Sequence, residues 1–192
     1  MDWLVPTPDG RTLAVQDAGD PEGRPVMVHM GTPGGRRLYG QRMLADAERR
    51  GLRLISYDRP GYGGSTPQPG RCMADCASDV RVICAALGID TVPMCGSSGG
   101  GPHVLACAAL LPDLVPAVVS MASPAPYDAQ GLDWIAGFSQ AAIDEVWLTL
   151  NDRPAARTCS PARRSCRTWY RRWRRWLRLP PTTPRGWTGW TA

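Results

Sequence analysis

There is no lysine in this chain of 192 residues, and histidine occurs only twice, at His29 and His103. The first absence excludes a P-loop lysine on a phosphate and a Schiff-base lysine on a carbonyl substrate. The second argues against a histidine-built metal centre. Cys72 and Cys76 share a helical spacing, yet neither histidine lies near them in sequence, so buried free thiols are expected and no metal site is. No apolar run is long enough to span a bilayer. Met1 to Pro6 (MDWLVP) has no basic stretch feeding an apolar one, so no secretory signal is read and a cytoplasmic protein is expected. Seven cysteines, an odd and scattered set, make a poor disulfide framework and suit that compartment. No cofactor is expected.

Acidic residues are nearly missing from one end. The net charge of +5 averages two unlike segments. Residues 1–150 carry 11 arginines and 16 acidic residues, whereas residues 151–192 carry 11 arginines and a single acid, Asp152. The length suits one domain with a real core.

What is present reads as alternating strands and helices. Asp9-Gly10 signals a hairpin turn, and Arg11–Ala18 alternates as a strand should. Pro25–Met30 is a continuous apolar run, expected of a strand buried on both faces of a parallel sheet, and Gly31-Thr32-Pro33-Gly34-Gly35 follows as a loop. A helix is predicted over Leu38–Arg50, closed by Gly51, and a strand over Leu52–Tyr57. The second helix is predicted over Met73–Leu87 and the next strand over Thr91–Cys95. A third helix is predicted to run to Leu111, and Val115–Met121 reads as one more buried strand. Asp133–Thr149 looks helical, with Ile135, Phe138, Ala142 and Val146 on one stripe. This order is the signature of an α/β fold with a mostly parallel sheet and helices on both faces.

The most informative stretch is Val92–Pro102 (VPMCGSSGGGP). Gly96-x-Ser98-x-Gly100 fits a nucleophile elbow, a serine on a tight strand-to-helix turn with small residues two positions to either side. Ser97 is excluded because Cys95 stands two residues before it. An anion-binding nest at a helix N-terminus would use the same glycines, Gly99 to Gly101.

Three separated motifs, each after a predicted strand, carry a resemblance to the α/β-hydrolase superfamily over about residues 10–150. Val28-His29-Met30-Gly31-Thr32-Pro33-Gly34 resembles its H-G-x-P-G loop, with Met30 where histidine usually precedes the glycine. Tyr57 to Ser65 (YDRPGYGGS) is similar to the D-x-P-G-x-G-x-S loop. Gly96 to His103 (GSSGGGPH) is similar to the elbow of proline iminopeptidase-like serine hydrolases. The resemblance implies Ser98 as nucleophile, with the backbone N–H groups of Thr32 and Gly99 as the oxyanion hole. It implies a small-molecule ester or amide as substrate and an acyl-serine intermediate. It also implies residues 1–124 as the N-terminal part of the hydrolase core and 125–150 as the start of a cap. The Asp58–Ser65 loop is expected to shape one pocket wall, His29 to buttress its loop, and His103 to point into the fold.

The family order is serine, then acid, then histidine. Asp128 is the candidate acid, and no histidine follows His103, so no base is found and activity is expected to be weak or absent. Residues 151–192 hold half the arginines and five of eight tryptophans. A reading-frame slip near residue 151 would explain this composition, because GC-rich alanine codons read as arginine or proline when shifted. The alternative is a non-catalytic binding protein. Trp169, Trp173, Trp176 and Leu177 fall on one helical face among arginines, a pattern suited to an anionic membrane surface or a nucleic acid.

Overall fold

Leu13 and Val15 point the same way from one strand, Met27 and Ile55 from two others, and all four are fully enclosed. They mark one face of a six-stranded sheet in the computed structural model of the chain, which describes residues 1–37, 40–125, 131, 133, 136–141, 143 and 144. The strands are β1 (Asp2–Pro6), β2 (Thr12–Gly19), β3 (Arg24–His29), β4 (Leu52–Tyr57), β5 (Met94–Ser97) and β6 (Val118–Met121). Their spatial order is β1-β2-β4-β3-β5-β6. The first two pairings are antiparallel and the remaining three parallel. Helices α1 (Gln41–Arg49), α2 (Cys76–Ala86) and α3 (Gly101–Leu110) make the crossovers.

The two faces divide by strand alternation. On one side Met27, Ile55 and Met94 pack with Val80 and Ile83 of α2 and Val104 of α3, forming the main core. On the other, Val28 and Leu54 pack with Ala47 of α1 in a smaller cluster. Helix α2 carries one charged residue into the interior. Asp79 is fully enclosed and accepts hydrogen bonds from Arg11 at 3.2 Å and Arg71 at 3.0 Å.

Several boundaries differ from the sequence expectation, each for a local reason. Helix α1 starts at Gln41 because Gly40 is extended (φ −70°, ψ 151°) and serves as its N-cap. Strand β5 starts at Met94, since Pro93 has no N–H to give the ladder. Strand β6 is shorter than the predicted Val115–Met121, because Val115 N–H still bonds Leu111 O at 2.9 Å in the turn that ends α3. Nor is β6 buried: no strand lies beyond it among the described residues, and Val119 and Met121 are exposed. Strand β1, which the sequence pattern did not reveal, pairs with β2 across the turn at Asp9-Gly10. Cys76, Cys84, Cys95 and Cys107 are free thiols, but Cys72 is disulfide-bonded, against the expectation for the set. The predicted helix over 133–149 lies largely outside the described residues, of which Gln140, Ala141, Ile143 and Asp144 are helical. Among the described residues no helix is long and apolar enough to cross a membrane.

Candidate active site

Register brings the carboxyl ends of the parallel strands together. His29 stands opposite Gly96, and Ser97 opposite Met121, so the loop after β3 and the turn after β5 meet at one edge of the sheet. In open α/β sheets that edge is where ligands bind.

Ser98 occupies the corner. It leaves β5 with φ at 47°, one of two non-glycine residues among those described with a left-handed backbone, and begins the 3-10 turn (Ser98–Gly100) that leads into α3. Such a conformation costs roughly 1 kcal/mol or more for a residue with a Cβ, and persists only where the surroundings enforce it. Here they do. A Cβ on Gly96 would lie 2.7 Å from the Gly100 carbonyl oxygen, and one on Gly100 would overlap the carbonyl of His29. The two glycines therefore let three backbone segments touch, and the serine between them is pushed outward. Ser98 is exposed, and its hydroxyl has no hydrogen-bond partner among the described residues.

The loop after β3 lies against this corner. The Cβ position of Gly31 is 3.2 Å from Ser98 Cβ and 3.7 Å from Ser98 Oγ. The Cβ position of Gly99 is 3.1 Å from the backbone nitrogen of Thr32. Thr32 and Gly99 are thus neighbours beside Ser98, although they are 67 positions apart in sequence. Gly34 N–H closes the loop on Gly31 O at 2.7 Å, and the Thr32–Pro33 peptide is cis. The Thr32 N–H itself is taken by no protein acceptor among the described residues.

Asp58 follows β4 and is nearly enclosed. Burial would raise its pKa, but the N–H groups of Arg36 (2.7 Å) and Gly64 (2.8 Å) and the Arg36 guanidinium outweigh that and hold it below the usual carboxylate value. It ties the loop after β3 to the loop after β4. The neighbouring Arg59 reaches the loop after β3, a contact that sequence reasoning missed. The only signal was a basic residue at the variable position of the D-x-P-G pattern.

Neither histidine approaches the Ser98 hydroxyl within hydrogen-bond distance. His103, on α3, has Nδ1 at 2.9 Å from Gly99 O, and burial presses its pKa down to about 4. His29 is deeper still, with both ring nitrogens lacking a partner and a pKa well below the ordinary value, again through burial. Asp128, the candidate acid, and the arginine- and tryptophan-rich residues 151–192 lie outside the described residues. Among the described residues no cluster of three His, Cys, Asp or Glu could hold a metal.

The chain is 35% identical over 101 residues to a non-heme chloroperoxidase of Streptomyces lividans, a match covering 52% of the chain and 36% of that protein. It is 32% identical over 104 residues to a proline iminopeptidase of Xanthomonas citri, covering 53% of the chain and 33% of that protein. The match therefore spans about a third of the length of these curated relatives. Among solved structures, a thermophilic esterase from Thermogutta terrifontis superposes with a TM-score of 0.56 at 27% identity, over 68% of this chain and 48% of that one. The family model for the alpha/beta hydrolase fold matches residues 24–155, the span that holds β3 to β6, the three loops and Ser98, and the chain belongs to that family.

Proposed function

We propose that Ser98 is the nucleophile of a serine hydrolase that cleaves a small-molecule ester through an acyl-enzyme. One observation carries the reading. A strained, exposed serine at the start of a helix lies beside two backbone N–H groups, those of Thr32 and Gly99, brought together from different loops. Attack of Ser98 Oγ on a carbonyl carbon forms the new C–O bond, sends the carbonyl π pair to its oxygen, which becomes negative, and releases the hydroxyl proton to solvent water. Thr32 N–H and Gly99 N–H donate to that oxygen, and the N-terminal end of α3 adds a favourable dipole. Both donors are backbone groups, so their position is set by the fold and no side chain must reorganise during the reaction.

The proton side of the reaction is poorly served. The described residues offer no base to Ser98, and Asp128 remains the candidate acid without a histidine to orient. A serine with an oxyanion hole alone retains on the order of 10³–10⁴-fold catalysis over water in well-studied triads. That residue of activity favours esters over amides. An amide nitrogen must be protonated to leave, whereas an aryl ester expels a phenolate with a conjugate-acid pKa of about 10. Slow acylation by aryl esters, with no measurable amide cleavage, is therefore the expected activity. The names of the relatives, esterase and iminopeptidase among them, support the acyl-transfer class. Nothing in the comparisons favours a non-catalytic protein acting through residues 151–192.

The test is covalent labelling of the full chain with a fluorophosphonate, followed by intact-mass measurement. A single phosphonyl adduct that vanishes in Ser98→Ala is expected. An adduct that persists in Ser98→Ala, or a soluble wild-type protein that never labels, sinks the assignment.

A further inference from the structure

Arg59 is a buried charge with no carboxylate partner among the described residues. Only 5% of it is exposed. Burying an unpaired guanidinium is costly, so its hydrogen bonds must offset the loss of water. All of them go to one place. Nη1 donates to the Met30 carbonyl at 2.6 Å, and Nη2 to the Gly31 carbonyl at 3.1 Å and to Thr32 Oγ1 at 3.3 Å. The guanidinium carbon stands 5.3 Å from the centre of the Tyr62 ring, which covers one face of the fork.

The geometry of a peptide group turns this clamp into an aiming device. The carbonyl of Gly31 and the N–H of Thr32 belong to one planar peptide, and in the trans form they point in opposite directions. The cis bond of this loop is the next one, Thr32–Pro33. Drawing the Gly31 oxygen toward Arg59 therefore sends the Thr32 N–H the other way. Gly99 lies against the Thr32 end of that peptide, its Cβ position 2.5 Å from Thr32 Oγ1 and 3.1 Å from Thr32 N, and Ser98 is the residue before it. We propose that Arg59 is a positioning residue of the Ser98 site, holding the Gly31–Thr32 peptide so that its N–H faces the oxyanion. This assignment rests on the reading of Ser98 as nucleophile. The same positive charge lies close enough to help press down the pKa of His29 and of His103, in each case after burial, so its field reaches the ground just behind the serine.

Arginine's planar fork is what the role requires. A lysine at 59 offers a point charge that cannot span two carbonyls in fixed geometry, and methionine fills similar volume with no donor. The experiment compares wild type, Arg59→Lys and Arg59→Met as full chains, reading two quantities. The first is fluorophosphonate labelling as a function of probe concentration. The second is amide exchange at Gly34, whose N–H bonds the same Gly31 oxygen, measured against Ile55 in the middle of β4.

The expected result for Arg59→Met is a maximal labelling rate lower by about tenfold to a hundredfold, because a loosened oxyanion donor costs less than a deleted one. The probe concentration at half-maximal rate stays within about twofold of wild type, as it does for an interaction made only in the transition state. Gly34 exchanges roughly tenfold faster while Ile55 does not change. Arg59→Lys falls between, and it decides the question if Arg59→Met does not fold. Free guanidinium ion restores part of the rate in Arg59→Ala, which no general loss of structure would allow. Labelling at the wild-type maximal rate in both variants overturns the proposal, as does a loss confined to probe affinity. Should wild type itself fail to label, the nucleophile assignment is what has failed. Gly34 exchange then decides the clamp alone, and an unchanged rate removes it too.

Discussion

The imidazole of His103 stacks on that of His29, with ring centroids 5.9 Å apart and planes inclined by 21°. Tyr57 meets His29 edge-on at 5.5 Å, and the His29 nitrogens have no partner. The stack sits behind the elbow, one ring on β3 and one on α3, and holds Gly99 O through His103 Nδ1. Burial, with the charges of Arg59 and Arg71 nearby, presses both pKa values below the ordinary one and favours neutral rings at neutral pH.

Acid should therefore loosen the site before it reaches the carboxylates. His103 has a folded pKa of about 4 against an ordinary 6.5, so the folded state binds its proton less readily than the unfolded chain. Stability is full above about pH 6.5 and drains as pH falls toward 4. For His103 the loss is on the order of 3 kcal/mol, with His29 acting in the same direction. His103→Asn keeps a donor near the Nδ1 position and removes one titration. Urea unfolding at pH 7 and pH 4.5 should show a smaller difference in the variant than in wild type. Equal differences would mean that the stack is not what senses acid.

Ser98→Gly should stabilise the protein. The wild-type residue is held at φ 47°, where glycine is at ease and serine is not, so relief of about 1 kcal/mol is expected, less whatever the freer unfolded chain takes back. Ser98→Ala keeps the Cβ and hence the strain, and should melt with wild type. Thermal melts of the three proteins check this, and a glycine variant less stable than the alanine one would show that the corner is not strained. Both variants lose fluorophosphonate labelling, so the pair separates the conformational cost from the chemistry.

The backbone of this corner was largely legible in the sequence, because glycine spacing is a statement about contact. Gly96 and Gly100 are small for the reasons their pattern implies, and β4 (Leu52–Tyr57) is bounded by Gly51 and the Asp58 loop, where the punctuation predicted. What escaped was decided by neighbours in space. The run Val115–Met121 has the apolar content of a buried strand, but burial needs a strand and helices on the far side, and among the described residues none stands beyond β6. Strand β1 is five residues with an exposed outer edge, too short and too mixed for its pattern to speak. Nothing local in the sequence marks Arg59 for burial. Its partners are two carbonyls and a hydroxyl 27 to 29 positions earlier, which come close only when β3 and β4 pair. Asp128 and the stripe at 133–149 stand untested by these contacts, since they fall outside the described residues.

Gly100→Ala should be among the most damaging single changes in the chain. The added methyl would overlap the His29 carbonyl and approach Met30 O at 2.9 Å, and both obstacles are backbone of β3 and its loop. Backbone cannot swing aside as a side chain does, so either α3 retreats or the β3–β5 ladder parts. A cost of roughly 3 kcal/mol or more is expected, the upper end of the range for overpacking. By contrast, Gly40→Ala adds a Cβ in open space at the N-cap of α1 and should cost no more than about 1 kcal/mol, the loss of a glycine cap. If urea denaturation gives similar values for the two, the close approach of α3 to β3 is not as drawn.

The outer edge of β6 should govern how the protein behaves in concentrated solution. Val119 is 56% exposed and Met121 48%, side by side on one face of a strand that has no further neighbour among the described residues. An unpaired edge with apolar side chains is a template for another strand, and charge at such positions blocks pairing by leaving a lysine desolvated between two sheets. Val119→Lys with Met121→Lys should therefore lower the rate of light-scattering growth at fixed protein concentration. Melting should shift little, since neither side chain belongs to a core cluster. The control is Met43→Lys on α1, which is exposed to a similar degree but lies on a helix and offers no edge. If that substitution suppresses aggregation as well as the β6 pair does, added charge is responsible and strand pairing is not. If only the β6 pair does so, the edge is the sticky element, and its backbone groups rather than its side-chain polarity are what associate.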